Sequence, residues 1–181
     1  MAMDKYYKMT IAGVERELPI CAINDKLDIA AFIMFSDVEI TVNSAEALLK
    51  IVPEFDVLIT AESKGIPLAY EMARQSGKPY VVARKSLKLY MKNPVSFTVK
   101  SITTAAEQTM YLSEDDINLL KGKRILIIDD VISTGNSLST LESLCHESGG
   151  TICGKAAVLA EGDAADRDDI YYLEKLPLFF K

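Results

Sequence analysis

The sequence is poor in the residues that most nucleophile and metal chemistry uses. It has one histidine, His146, and three cysteines, Cys21, Cys145 and Cys153. A lone histidine has no partner for a histidine-based triad or metal cluster, so His146 is expected to be a solvated helix residue. No two cysteines have metal-ligand spacing and their neighbours are mostly apolar or small. They are expected to be reduced, in or near the core of a cytoplasmic protein. Long apolar runs are also missing. The longest, residues 29–35, is too short to span a bilayer, and residues 1–9 hold no apolar segment of the signal-peptide kind. Positive charge is in deficit: 20 Lys and Arg against 26 Asp and Glu give a net charge of −6. That excludes a broad nucleic-acid or membrane surface, and it requires any phosphate ligand to be met by local positive charge. Internal repeats, low-complexity tracts and linkers are absent, and no strand leads into G-x-x-x-x-G-K-[ST] or G-x-G-x-x-G.

What is there is a chain of 181 residues, 49% apolar, enough for one domain over 1–181 with a sizeable core. It is organised around residues 124–139. Ile125, Leu126, Ile127 and Ile128 form a continuous apolar run, which suits a strand buried on both faces of a parallel sheet. Leu138, Leu141, Leu144 and Cys145 then recur at helical spacing, with Asn136 or Ser137 as the expected N-cap. The loop between them is small and polar. Gly135 allows positive φ and close approach of a ligand to the backbone. Ser133, Thr134, Asn136 and Ser137 add short polar side chains, and backbone N–H groups at a helix N-terminus make a phosphate cradle. Asp129 and Asp130 would repel a phosphate, so they are expected to face a sugar diol or a divalent cation. Phosphate on the loop with a diol behind it describes a ribose 5-phosphate.

Upstream, residues 1–42 read as short strands at 6–11, 17–23, 29–35 and 38–42, outside any β-α-β unit. With the C-terminal segment they are expected to form a small hood beside the main sheet. Asn43 and Glu46 look like a capping box that opens a short helix, closed by Pro53. Residues 55–60 are a strand, 61–65 a tight loop, 66–76 a helix stopped by Gly77, and 80–83 a strand, together a unit of parallel sheet. A basic loop with Arg84, Lys85, Lys88 and Lys92 follows. Alternation at Val95, Phe97, Val99 and over 109–112 predicts a β-ribbon, with a flexible tip at 100–108. A helix at 114–120, the central strand and helix, a strand at 152–160 and edge strands at 170–172 and 178–180 complete the chain. The fold class is α/β, with a doubly wound, mostly parallel sheet. Ligands bind such sheets outside the carboxyl ends of the strands. The small, charged and glycine-containing motifs fall in the loops expected there, 61–65, 84–88, 129–137 and 161–163.

Ile-Ile-Asp-Asp-Val-Ile-Ser-Thr-Gly-Asn-Ser at 127–137 resembles the phosphoribosyl-pyrophosphate motif of the type I phosphoribosyltransferases. Over roughly 55–163 the chain is similar to the purine enzymes, adenine and xanthine phosphoribosyltransferases above all. The resemblance implies that pyrophosphate leaves the anomeric carbon as a purine ring nitrogen attacks, through an oxocarbenium-like transition state. It assigns Asp129, Asp130 and Glu107 to catalysis, and Val131, Ser133, Thr134, Gly135, Asn136 and Ser137 to the phosphoribosyl group. Glu62, Ser63, Lys64, Gly65, Arg84, Lys85 and Lys88 would bind pyrophosphate; Leu18, Asn24 and Glu161 would lie near the base. It also implies a non-proline cis peptide between Glu62 and Ser63. Mg²⁺ would be held mainly through the substrate, with no direct protein ligand. The partners would be phosphoribosyl pyrophosphate and a purine base, in a cytoplasmic homodimer without nucleic acid or membrane. Two positions depart from the family pattern. Glu107 lies in Ala-Glu-Gln-Thr rather than Glu-Tyr-Gly, and Gly162 stands where xanthine enzymes carry a base-reading lysine. The expected base is therefore adenine, with xanthine or hypoxanthine/guanine as alternatives. Outside the enzymes stands a non-catalytic regulator that senses phosphoribosyl pyrophosphate.

Overall fold

The computed structural model describes residues 6–100 and 107–181. Of the expected flexible tip at 100–108, residues 101–106 lie outside the described residues, as do the side chains of Val99, Lys100, Glu107, Gln108 and Asn136. In chain order come β1 (Tyr6–Ile11), β2 (Val14–Asn24), β3 (Leu27–Ala30), α1 (Val38–Leu49), β4 (Val57–Ala61), α2 (Ile66–Ser76) and β5 (Tyr80–Ala83). The ribbon β6 (Val95–Lys100) and β7 (Glu107–Leu112) follows, then α3 (Glu114–Leu120), β8 (Arg124–Ile132) and α4 (Asn136–Glu147). β9 (Thr151–Glu161), a 3-10 turn (Gly162–Asp166), β10 (Tyr171–Leu176) and β11 (Leu178–Phe180) end the chain.

Among the described residues the main sheet is parallel throughout, in the order β10-β9-β8-β4-β5. β8 is its central strand, and the continuous apolar run at its start is explained by burial on both sides. Ile125 and Ile127 pack into a core with α4, α3 and the β6–β7 ribbon. Leu126 and Ile128 pack into a second core with α1, α2 and the N-terminal strands. Helices on both faces make the sheet doubly wound. A separate antiparallel sheet runs β1-β2-β3-β11, so the last strand of the chain pairs with the third.

Several sequence expectations are corrected. Residues 38–42 are the first turns of α1, not a strand. Their β-branched residues favour strand locally, yet Ile40, Ser44 and Leu48 with Thr41 and Ala45 form a buried helical stripe that decides the outcome. The N-cap is Asp37, whose carboxylate accepts from the Ile40 N–H at 3.1 Å. Asn43 lies inside the helix and donates to the Glu39 carbonyl, and Glu46 pairs with Lys50. The strand expected over 29–35 stops at Ala30, and Phe32 and Met34 anchor an irregular connection in the second core. The capping box belongs instead to α3, between Ser113 and Asp116. β8 runs on through both acids to Ile132, because its pairing with β9 continues to Ala160. Neither Asn136 nor Ser137 caps α4; Gly135 does, at φ 78°. Cys21 is exposed on β2 rather than near the core, while Cys145 is buried.

Candidate active site

The site follows from where the winding reverses. From β4 the chain builds outward through α2 to β5; from β8 it builds the other way through α4 to β9. β4 and β8 are neighbours, so the loops after them open side by side at the carboxyl edge, the crevice where doubly wound sheets take ligands. The two loops touch. A Cβ on Gly65 would collide with the Thr60 hydroxyl and stand 3.1 Å from Asp129 Oδ1, so only glycine permits this approach. The peptide between Glu62 and Ser63 is cis.

The adjacent acids of β8 have different surroundings. Asp130 is 2% exposed and its carboxylate accepts from Lys64 Nζ at 2.8 Å. The lysine reaches across from the β4 loop, its own side chain half exposed. Among the described residues no cation pairs directly with Asp129, and Lys64 acts on it only at a distance. Its Oδ1 accepts from the Asp130 backbone N–H at 2.9 Å. Loss of solvent, reinforced by the neighbouring Asp130 charge, pushes its carboxyl up to about 7. One acid thus carries a cation, while burial and the neighbouring charge favour the protonated form of the other.

Glu62 is a hub for cations and not itself an anion ligand. It accepts from the Lys85 backbone N–H at 3.0 Å, from Arg84 Nη1 at 3.3 Å, and faces Lys88 Nζ at 3.5 Å. Those contacts, the Lys85 N–H first, hold its carboxyl below the usual range. Arg84 is steered further by the Tyr90 hydroxyl at 2.6 Å, and its backbone pairs with Tyr111 of the ribbon. Lys64, Arg84, Lys85 and Lys88 therefore gather beside one carboxyl edge, each lysine head at or near the surface.

The loop after β8 is built differently. Ser133 and Thr134 are exposed, and Gly135 takes the left-handed conformation that starts α4. Its carbonyl accepts from the Ser139 N–H and hydroxyl. Val131 still belongs to β8 and packs against the second core, so its side chain is not part of the loop. A guanidinium from elsewhere stands over the turn: Arg167 Nη1 lies 3.3 Å from where a Cβ on Gly135 would sit.

Residues 39–177 match the phosphoribosyl transferase domain family. The chain belongs to that family. It is 34% identical over 113 residues to the purine biosynthesis transcriptional repressor PurR of Bacillus subtilis, covering 62% of this chain and 39% of the repressor. It is 32% identical over 129 residues to an adenine phosphoribosyltransferase of Cenarchaeum symbiosum, covering 70% of this chain and 73% of that one. The chain spans about half the length of several curated relatives it matches, such as 56% of a hypoxanthine/guanine phosphoribosyltransferase of Methanohalophilus mahii. The fold matches the crystal structure of the Rhodothermus marinus adenine phosphoribosyltransferase at a TM-score of 0.67 with 20% identity, over 95% of this chain and 94% of that one.

Within the phosphoribosyl transferase fold, three assigned positions stand apart from the loop cluster. Leu18 is 5% exposed and packed in the second core, so it lines no open site. Asn24 closes the β2–β3 turn, its side chain accepting from the Lys26 N–H at 2.8 Å. Glu107 opens β7 opposite Lys100, while its side chain is outside the described residues. Glu161 does stand at the carboxyl edge, at the end of β9, half-buried, its carboxyl raised by loss of solvent and lowered less by Lys64. The residue missed in the sequence is Arg167. It follows a strand end by several residues, in an acidic stretch with no motif, and only the fold brings it to Gly135.

Proposed function

We propose that this protein is a purine phosphoribosyltransferase of nucleotide salvage. It moves ribose 5-phosphate from phosphoribosyl pyrophosphate to a purine, with adenine preferred, and releases pyrophosphate. The observation that carries the reading is the contact of the two loops through Lys64 and Asp130, which sets a cationic loop against an acid pair across one crevice. In this reading the sugar hydroxyls replace Lys64 as partners of Asp130. Lys64 is then released toward the pyrophosphate, joined by Arg84 and Lys88, and the fixed charges stabilise the leaving group. The backbone at Ser133–Ser137 holds the 5′-phosphate at the α4 N-terminus. The protein's main contribution is to position two reactants and keep water, a competing nucleophile, from the anomeric carbon.

Mg²⁺ fits this arrangement as a shared ion. Among the described residues no three His, Cys, Asp or Glu side chains converge on one point, and Asp130 already carries a lysine. Asp129 and Asp130 offer oxygens of the type Mg²⁺ accepts, too few to hold it without substrate oxygens. Bound there, the ion would supply charge neutralisation on the pyrophosphate.

Adenine is preferred because of Gly162. Its φ of 58° disfavours any side chain, and a Cβ there would crowd Leu178 Cδ1 at 2.9 Å. Position 162 therefore offers no cationic side chain to a 6-oxo group, and the Glu161 carboxylate before it suits a 6-amino donor. The homodimer and cytoplasmic location that the resemblance implies belong to the same proposal, and sedimentation velocity tests the former. A panel of purine bases with phosphoribosyl pyrophosphate and Mg²⁺, followed by nucleotide and pyrophosphate release, tests the whole. Adenine should turn over fastest. Tight binding of phosphoribosyl pyrophosphate with no nucleotide from any base would favour a sensing role, the reading that the similarity to a purine repressor supports.

A further inference from the structure

We infer that Arg167 is the cation of the 5′-phosphate site, a binding residue held in place by Asp169, Lys155 and Glu142. The inference rests on the transferase reading. It starts from a deficit: no lysine or arginine occurs between Arg124 and Lys155, and the loop opens with two carboxylates. A phosphate seated on that loop has backbone N–H groups and a helix dipole, but the loop's own side chains give it no positive charge. The fold supplies one. Arg167 Nη1 lies 3.3 Å from the position a Cβ on Gly135 would take. Its other edge is occupied, since Nε and Nη2 donate to the two oxygens of Asp169, each at 2.7 Å. A guanidinium gripped along one edge can only offer the other, and here that edge faces the turn.

The grip is itself braced. Asp169 also accepts from Lys155 Nζ, and that lysine, largely buried, donates to Glu142 Oε1 at 2.6 Å. Glu142 lies on α4, the helix whose N-terminus is the phosphate loop. The chain of contacts therefore leaves α4, crosses β9 and returns to the start of the same helix, so the arginine is tied to the helix that carries the loop. Glu142, Lys155 and Asp169 together carry one negative charge that balances the guanidinium, so Arg167 serves phosphate through the directed N–H donors of its free edge more than through net charge. Preorganisation of this kind lowers the ordering cost of binding.

Calorimetric titration with ribose 5-phosphate, a probe indifferent to the base, tests the inference, with pyrophosphate as the companion ligand. Arg167→Gln should weaken ribose 5-phosphate about tenfold or more, flatten its salt dependence and leave pyrophosphate affinity unchanged. Asp169→Asn, which removes the orienting charge but keeps the arginine, should weaken ribose 5-phosphate by a smaller factor, again without touching pyrophosphate. Retained pyrophosphate binding certifies the fold of each variant. Equal ribose 5-phosphate affinity in wild type and Arg167→Gln overturns the inference alone. A wild type that binds neither ligand and makes no nucleotide overturns the transferase reading beneath it.

Discussion

The two loops at the head of the sheet, proposed above as anion sites, are built by opposite means. The loop after β4 works with side-chain cations, its own Lys64 and, from the loop after β5, Arg84 and Lys88, paired with carboxylates, Asp130 for the first and Glu62 for the other two. The loop after β8 works with backbone, a left-handed glycine and a helix N-terminus, and borrows its single guanidinium from a segment beyond β9. The difference matches the ligands proposed for them. Pyrophosphate carries several charges and must leave, so partly exposed lysines suit it. A 5′-phosphate stays through the reaction, and a rigid cradle suits that.

Gly135→Val breaks the comparison most severely. A β-branched residue at φ 78° is strained, and its side chain would fill the space beside Arg167. Ribose 5-phosphate binding should be abolished while pyrophosphate still binds to a folded protein, as calorimetry would register. Asp130→Asn comes next. Loss of its charge-assisted contacts should weaken transition-state binding by about 1.5–3 kcal/mol, read as kcat/KM; a wild-type value would remove Asp130 from the mechanism.

Asp129→Asn should act in the reverse sense on stability. The carboxyl is raised to about 7 in the folded chain, so the native state holds its proton where the unfolded state has lost it. Stability contributed by this group is thus present at acid pH and lost as pH climbs from the ordinary carboxylate range through about 7. The neutral variant escapes that loss and should be more stable than wild type at pH 8. The gain should vanish near pH 4 while turnover is lower throughout. Thermal melts across pH decide it, and a variant less stable at pH 8 would show that Asp129 is well compensated in the empty site. The smallest effect is expected from Glu62→Ala. Untethering the partly buried Arg84 and Lys88 should weaken pyrophosphate by about 0.5–1 kcal/mol, the upper part of the range for ion pairs near the surface. Tighter binding would mean that Glu62 opposes the anion more than it orders the cations.

Much of this was legible in the sequence because local signals and tertiary demands agree. The helix at Ile66–Ser76, the strand at Tyr80–Ala83 and the helix at Glu114–Leu120 lie where glycine stops and apolar spacing put them. The central strand was legible because burial on both faces leaves an unbroken apolar run. Errors arose where the two disagree. Val38–Val42 has strand-favouring side chains, but a buried stripe every third or fourth residue, visible only when 38–49 is taken as one unit, makes it helix. Asp129 and Asp130 look like loop residues by type, yet pairing with β9 holds them in the strand. At the site, residues within one motif could be grouped from sequence, as Asp129 with Gly135. The pairing of Lys64 with Asp130, and the arrival of Arg167 at Gly135, depend on strand order and left no local trace. Leu18 was misplaced for the same reason: which face of β2 meets the core is fixed by the partner sheet.

The central claim is that two anion sites, made by unlike means, stand side by side and are filled together. Titrating ribose 5-phosphate into wild-type protein already saturated with pyrophosphate and Mg²⁺ tests it most directly. The account predicts one further equivalent bound, with pyrophosphate retained. Displacement of pyrophosphate, one for one, would mean a single shared site and would contradict it.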